Sequence, residues 1–490
     1  MTAIIPIPAH FQFDERRFSL TPETRIIVSG DAAEVFWIAS FLAARLRPAT
    51  GFALPVLGGI EPGAGDISLA LTADDPQLGL EGYRLSATPE QVTLRASAAA
   101  GLFYAVQTLR QMFPAEIESA VEQPGLDWWV PCGTVRDVPR YAWRSMMLDL
   151  GRHFFGVETV KRLIDLLAFH KINTLHLHLS DDQGWRIMIE SWPWLALHGG
   201  STATNGDPGG FYTQDQYREI VAYAAQRYIT IVPEIDMPGH TNAALASYEA
   251  LNVNDISPSL YTGIKVGFSS LAVHKEITYQ FVDDVVREIA AMTPGAYFHI
   301  GGDETLSTPE EDYIYFIERV QEIVRKHGKR MIGWEEIGKT RLSADTVAQH
   351  WWNKDVTAKA AAQGAGIIAS PAARAYMDMK YHDHTTIGLQ WTGSYTEVRD
   401  AYEWEPVELL EGVPPEAILG VESALWTETI FTQGNLDFMV FPRLCGYAEI
   451  GWSPRESRDW ESYRLRLAEH GKRLAGLGVR FYRSEQVEWK

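Results

Sequence analysis

The stretch YAWRSMMLDLGRHFFGVETVKRLIDLLAFHKINTLHLHLSDDQGW, residues 141–185, decides the fold. Apolar runs at 145–150 and 174–180 have the length and composition of buried strands, and 157–170 between them carries apolar residues at helical spacing. Strand, helix and strand over this distance predict a βαβ unit, whose two strands lie parallel. The alternation continues, with strands expected at 230–235, 296–301, 331–335, 347–351, 366–369 and 419–426, and helices at 215–226, 277–292 and 310–327. Eight strands in all predict an α/β fold, a (β/α)8 TIM barrel, over an open doubly wound sheet. No glycine-rich phosphate loop follows any of them, which argues against a dinucleotide-binding fold.

Upstream of the barrel the pattern is different. Short apolar runs at 25–28, 67–71, 83–86 and 92–95 read as strands, while 32–46 and 98–112 have helical spacing. Two helices against a small sheet make an α+β domain with no cluster of catalytic residue types, so a supporting role is expected. The expected division is an accessory domain at 1–140 and a catalytic barrel at 141–490, as the chain of 490 residues exceeds what one core supports.

Charge and composition narrow the function. With 63 acidic against 43 basic residues the net charge is −20, which repels nucleic acid and anionic membranes. Sixteen Trp and 20 Tyr suit flat apolar ligands such as sugar faces. Cys132 and Cys445 stand too far apart in sequence to form a disulfide framework, though one bridge between them is possible. The N-terminus as given has no basic segment followed by an apolar one, and no run of about 18 apolar residues occurs. A soluble, cytoplasmic chain is expected, or a secreted one if a signal peptide has been removed; the oligomeric state is left open.

In a TIM barrel the chemistry sits at the C-terminal strand ends. There the sequence places Asp149 with Arg152, Asp181 with Asp182, Glu234 with Asp236 and His240, Asp303 with Glu304, Trp334 with Glu335, Trp351, Tyr376 with Asp378, and Trp426 with Glu428. The run His299-Ile300-Gly301-Gly302-Asp303-Glu304 is the most telling. Its glycines permit a tight turn and close ligand approach, and two adjacent carboxylates push their pKa values apart, so that one can stay protonated while the other is ionised. The competing local reading is a capped loop in which Asp303 binds backbone amides and Glu304 starts a helix.

HIGGDE resembles the signature of glycoside hydrolase family 20, the β-N-acetylhexosaminidases. LDLGRHFF around Arg152, HLHLSDDQGWRI around Asp181, VPEIDMPGHT around Asp236 and His240, AYMDMKY around Tyr376 and Asp378, and LWTETI around Trp426 and Glu428 are similar to the family's motifs, in the family's order. The resemblance implies exo cleavage of terminal N-acetylhexosamine by substrate-assisted catalysis, without metal or cofactor, on a small oligosaccharide or glycan end. It implies Glu304 as general acid and base, and Asp303 as partner of the acetamide nitrogen. Trp334, Trp351 and Trp426 would wall the acetamide methyl, with Trp391 a further substrate-binding aromatic, and the Tyr376 hydroxyl would bind the acetamide carbonyl. Arg152, Asp378 and Glu428 would hold sugar hydroxyls, and Asp181, Asp236, His240 and His299 would support them. Trp351 is preferred over Trp352 by motif position alone. The 4-hydroxyl differs between gluco and galacto sugars only in direction, so either can be served.

Two other readings compete. His176 and His178 lie on one face of a strand and could ligate a metal at a barrel mouth, giving a metal-dependent hydrolase. Both fall within the strand, however, and that scheme has no use for the GGDE pair, so packing is the expected role. A sugar-binding homologue without activity would have lost an acid, whereas Asp303 and Glu304 are both present.

Overall fold

The computed structural model describes residues 3–490. By packing, the chain forms two units. One holds the described residues up to Tyr141 together with Ala168–Lys171 and Val440–Lys490, and the other holds Ala142–Leu167 and Ile172–Met439. Residues 440–490, expected within the barrel segment, pack with the first unit.

The first unit is built on seven strands, β1 (His10–Ser19), β2 (Ile26–Ser29), β3 (Val56–Gly58), β4 (Asp66–Leu71), β5 (Tyr83–Ala87), β6 (Gln91–Ala96) and β7 (Trp129–Asp137), in the order β1-β7-β5-β6-β4-β2-β3. The four strands expected from the sequence are β2, β4, β5 and β6. β1 escaped notice because it is mostly exposed and charged, lacking the apolar alternation of a half-buried strand, and β7 because Pro131 interrupts it. Helix Ala33–Thr50 buries Val35, Ile38, Leu42 and Leu46 at helical spacing and ends where Gly51 takes φ +69°. The second expected helix is Ala99–Met112. The C-terminal helices Arg443–Trp452 and Trp460–Gly476 belong here too: Arg466 forks onto Glu449 at 2.7 Å through both terminal nitrogens. Arg473 donates to the carbonyls of Arg110 and Gln111. Cys132 and Cys445 are both buried free thiols, so the possible bridge is not formed.

A buried ion cluster ties this unit together. Asp137 accepts from Lys171 Nζ at 2.9 Å, Tyr83 Oη at 2.6 Å and Trp452 Nε1 at 2.9 Å, and the Lys171 and Asp137 side chains are fully buried.

The second unit is the expected barrel. Its strands are β8 (Trp143–Asp149), β9 (Thr174–His178), β12 (Thr230–Glu234), β13 (Tyr297–His299), β14 (Arg330–Trp334), β15 (Val347–His350), β16 (Gly366–Ala369) and β17 (Ile418–Leu425); a short pair, β10 (Ser180–Asp181) and β11 (Gly184–Trp185), follows β9. All eight barrel pairings are parallel, and β17 closes onto β8 with Gly420, Glu422 and Ala424 opposite Trp143, Ser145 and Met147. Helices Val157–Phe169, Gln214–Ala225, Glu276–Met292 and Glu310–Lys326 stand where helical spacing predicted them. The interior is layered. Trp143, Val232, Ile332, Val347 and Ile368 form one apolar cluster, and Met147, Trp334, Ala424, Tyr376 and Trp426 belong to another. Because alternate strand residues face inward, the buried polar groups Ser145, His176, Gln349 and Glu422 fall between them. Among the described residues, no helix is long and apolar enough to cross a membrane.

The Asp137 cluster generates a stability prediction. Asp137→Ala leaves Lys171 as a buried charge without its carboxylate, and urea denaturation should show a loss of about 3–5 kcal/mol. A loss below about 1 kcal/mol would mean that the ammonium is neutralised or rehydrated at little cost.

Candidate active site

A cavity of about 330 Å³ opens at the C-terminal strand ends, lined among others by Arg152, Asp303, Glu304, Trp351, Tyr376, Trp391, Trp426 and Glu428. The turn that delivers the acids depends on glycine. Strand β13 stops at His299, and Gly301 and Gly302 follow at φ +66° and +95°. A Cβ on Gly301 would lie 1.9 Å from Asp236 Oδ1, the atom that accepts the Gly302 N–H at 3.0 Å. Glu304 itself holds φ +44°, a conformation that costs a non-glycine residue energy and persists because the surroundings enforce it. The capped-loop reading fails: the next helix begins only at Glu310, and Asp303 Oδ1 is buried without a hydrogen-bond partner in the protein.

The two acids differ in environment. Asp303 is buried, and desolvation, with the nearby charges of Asp236 and Glu304, raises its pKa well above the usual carboxylate range. The Glu304 side chain is 33% exposed, enough to meet water from the cavity. Between them and the barrel stands His240, with Nε2 3.8 Å from Asp303 Oδ2 and 3.5 Å from Glu304 Oε2, and Nδ1 3.3 Å from Asp181 Oδ1. Burial works against a charged His240, but the carboxylates of Asp181, Asp303 and Asp236 outweigh it and hold the ring's pKa well above its ordinary value. Burial drives Asp236 up to about 7.

Arg152 lies with Nη1 3.0 Å from Asp181 Oδ2 and 3.5 Å from Asp149 Oδ2, its guanidinium 4.7 Å from the centre of the Trp426 ring. Asp149 also accepts the N–H of Arg152 at 3.1 Å and that of Thr427 at 3.0 Å, binding together the loops after β8 and β17. Arg152 Nε and Glu428 Oε2 are buried polar atoms with no partner in the protein. Each such atom costs about 1–3 kcal/mol unless something else pairs with it.

Aromatic rings form the rest of the wall. Trp391 sits 6.0 Å from Trp351 and 5.8 Å from Tyr376, and Tyr376 is 6.1 Å from Trp426, centroid to centroid. Trp351 lines the cavity and donates Nε1 to Glu336 Oε2 at 3.1 Å, whereas Trp352, 56% exposed, packs 5.9 Å from Trp351 and 6.1 Å from Trp391, centroid to centroid. Trp334 differs from expectation. It is fully buried behind Trp426, 5.8 Å away, with its Nε1 donated to Glu234 Oε1 at 3.0 Å, so it backs the cavity and does not line it. Asp378 is likewise beneath the surface and receives Trp391 Nε1 at 3.3 Å. His299 is buried beneath the turn and accepts the Gly301 N–H at 3.0 Å.

His176 and His178 face the barrel interior, as the strand period requires. His176, Glu234 and His299 bring ligand atoms within 4.8 Å of one another, as do His178, Asp181 and Asp236, but His176 and His178 both meet Glu234, His178 also meets Asp181, and Asp236 accepts the Gly302 N–H. Sequence reasoning missed Glu336, whose burial pushes it to about 7, and the loop residues Ile264, Val266, Leu389 and Gln390 that line the cavity. An aliphatic residue in a loop carries no sequence signal that separates rim from surface, while Glu336 follows the noted Trp334-Glu335 pair and could have been found there.

The family model described as "Glycosyl hydrolase family 20, catalytic domain" matches residues 141–312 and 305–455, and "Glycosyl hydrolase family 20, domain 2" matches 1–138. A β-N-acetylhexosaminidase of Cellulomonas fimi is 42% identical over 494 residues, which cover 99% of this chain and 97% of that one. Among solved structures, the GH20 β-N-acetylhexosaminidase of Streptomyces coelicolor A3(2) has a TM-score of 0.96 and 51% identity, covering 100% of this chain and 99% of that one. A mutant Streptomyces plicatus β-hexosaminidase in complex with its product GlcNAc has the same TM-score of 0.96 and 51% identity, over 100% and 98%.

The raised pKa of Asp303 has a kinetic consequence. If chemistry needs Asp303 as an anion, kcat/KM falls as pH drops through that raised value, so the acidic limb should lie above the ordinary carboxylate range. Asp236→Asn removes one of the charges that raise it, and should move the limb to lower pH by on the order of one unit, the small end of close-charge effects. A limb that stays in place in a pH profile with a chromogenic N-acetylglucosaminide would contradict this.

Proposed function

Because the chain belongs to glycoside hydrolase family 20, we propose that it removes terminal, non-reducing β-linked N-acetylglucosamine or N-acetylgalactosamine from oligosaccharides and glycan ends by a retaining, substrate-assisted mechanism. One observation carries the reading. Asp303 Oδ1, Glu428 Oε2 and Arg152 Nε, all buried and unpaired within the protein, belong to residues lining one aromatic cavity beside Glu304. A sugar bearing hydroxyls and an acetamide would satisfy these atoms and stack its apolar face on the rings.

In this scheme the carbonyl oxygen of the substrate's 2-acetamido group attacks the anomeric carbon, the glycosidic C–O bond breaks, and Glu304 gives its proton to the departing oxygen. Asp303 accepts the acetamide N–H and offsets the positive charge of the oxazolinium ion. Water then adds at the anomeric carbon, with Glu304 taking its proton, and the acetamide is regenerated. A tethered nucleophile already in position makes a protein nucleophile unnecessary. Trp351, Trp391 and Trp426 enclose the acetamide with the Tyr376 hydroxyl on its carbonyl, while Arg152 and Glu428 hold the ring hydroxyls, with Asp378 beneath. With partners for the hydroxyls of a non-reducing sugar gathered in one cavity, cleavage falls at chain ends.

Glu304→Gln should lower kcat/KM for poor leaving groups by roughly 10²–10⁴-fold while sparing activated aryl glycosides, which depart without a proton. Equal losses on both would remove Glu304 from the acid role. Asp303→Asn keeps the shape and loses the charge, so kcat should fall by about 3–4 kcal/mol in activation terms, with product affinity changed less. Asp303→Ala assayed with azide separates this scheme from a protein nucleophile. Formation of an α-glycosyl azide would mean that Asp303 itself attacks the sugar, whereas the substrate-assisted route gives none.

A further inference from the structure

We propose that His178 is a positioning residue for acid–base catalysis, acting through Asp181 and His240 on Glu304; this rests on the reading of Glu304 as the acid and base. The HLH motif at 176–178 puts both imidazoles inside the barrel, where they join a file of buried groups. His176 Nδ1 is 2.8 Å from Glu422 Oε1 and its Nε2 is 2.9 Å from Glu234 Oε2. His178 Nδ1 is 2.5 Å from that same Glu234 oxygen, and its Nε2 is 2.9 Å from Asp181 Oδ2. Asp181 Oδ1 then meets His240 Nδ1 at 3.3 Å, and His240 Nε2 faces Glu304 at 3.5 Å. Carboxylate and imidazole alternate along the whole file, so no two neighbours in it are groups of like charge.

The geometry gives His178 a particular task. Asp181 Oδ2 is bonded by His178 Nε2 at 2.9 Å and lies 3.0 Å from Arg152 Nη1, an ion pair without hydrogen-bond alignment, while Oδ1 meets the Asp182 N–H at 2.5 Å and His240. An arginine beside a carboxylate tends to fork onto both oxygens. Without His178 on Oδ2, Asp181 is free to turn toward Arg152, and Oδ1 leaves His240. His240 occupies φ +53°, so its ring position is imposed by such contacts and not by backbone preference. The charged groups around His178 are Asp181 on its own side, Glu234 and Asp236 from and after β12, and Asp149 from β8, with the Trp426 ring edge-on at 5.0 Å. Burial disfavours the imidazolium, but Glu234, Asp181 and Asp149 outweigh that and hold the ring protonated.

The test is the dependence of kcat/KM on the leaving group in full-length His178→Gln and Glu234→Gln, beside Glu304→Gln. A positioning role predicts that His178→Gln loses at least about tenfold on an unactivated glycoside and less than about threefold on a dinitrophenyl one, a weaker copy of the general-acid signature. Binding of the product GlcNAc should stay within about threefold. Glu234→Gln, which keeps the shape of the group that orients His178, should give the same bias and carries the test if His178→Gln does not fold. Equal losses on both substrates, or none, would overturn the inference while Glu304→Gln still shows its bias. Absence of bias in Glu304→Gln itself would instead bring down the proposed function.

Discussion

The site depends on one buried carboxylate. Asp181 meets His178 and the charge of Arg152 on one oxygen and His240 and a backbone N–H on the other, and it is held far below the usual carboxylate range because these partners outweigh the cost of its burial. Removing a partner from such a group leaves a charge in a medium that cannot solvate it, which is why the arrangement resists disorder. Through Arg152 it touches the part of the cavity suited to hydroxyls, and through His240 it touches the acids. The guanidinium on the cavity and the two acids beside it are therefore referred to the same fixed point.

The barrel makes that point rigid. Inward-facing residues alternate along each strand, so a polar level of Ser145, His176, Gln349 and Glu422 lies between apolar clusters around Trp143 and around Trp334. Ser145 Oγ at 2.5 Å and Gln349 Nε2 at 2.7 Å saturate Glu422, and Glu234 receives the Trp334 indole as well as its histidines. Such a network is stable only when complete. Among the barrel's buried atoms without a partner in the protein, Asp303 Oδ1, Arg152 Nε and Glu428 Oε2 belong to residues on the cavity, where a ligand can complete them. Backbone strain is present here too, since Glu304 on the cavity and His240 next to it, both non-glycine, hold positive φ.

Much of this was legible in the chain. The βαβ rhythm from residue 141 located all eight barrel strands, because buried parallel strands are continuous apolar runs and the helices between them are amphipathic. The GGDE turn was legible because glycine pairs before adjacent acids have few other uses. Less legible were β1, a charged edge strand, the grouping of 440–490 with the N-terminal residues, and the HLH pair, which looked like packing or a metal motif until Glu422, Glu234 and Asp181 were seen around it.

The sequence by itself determined the periodicities, and with them the fold, the strand ends and the adjacent acids of the GGDE turn, since those are properties of neighbours along the chain. Only the tertiary structure decided that Trp334 lies behind the wall while Trp351 and Trp391 form it, that Glu336 orients Trp351, and that Asp303 is the buried acid with the raised pKa. Those outcomes depend on desolvation and on charges brought together from strands far apart in sequence, such as Asp236 against Asp303 and Glu422 against His176, and neither burial nor a through-space distance is written in local order.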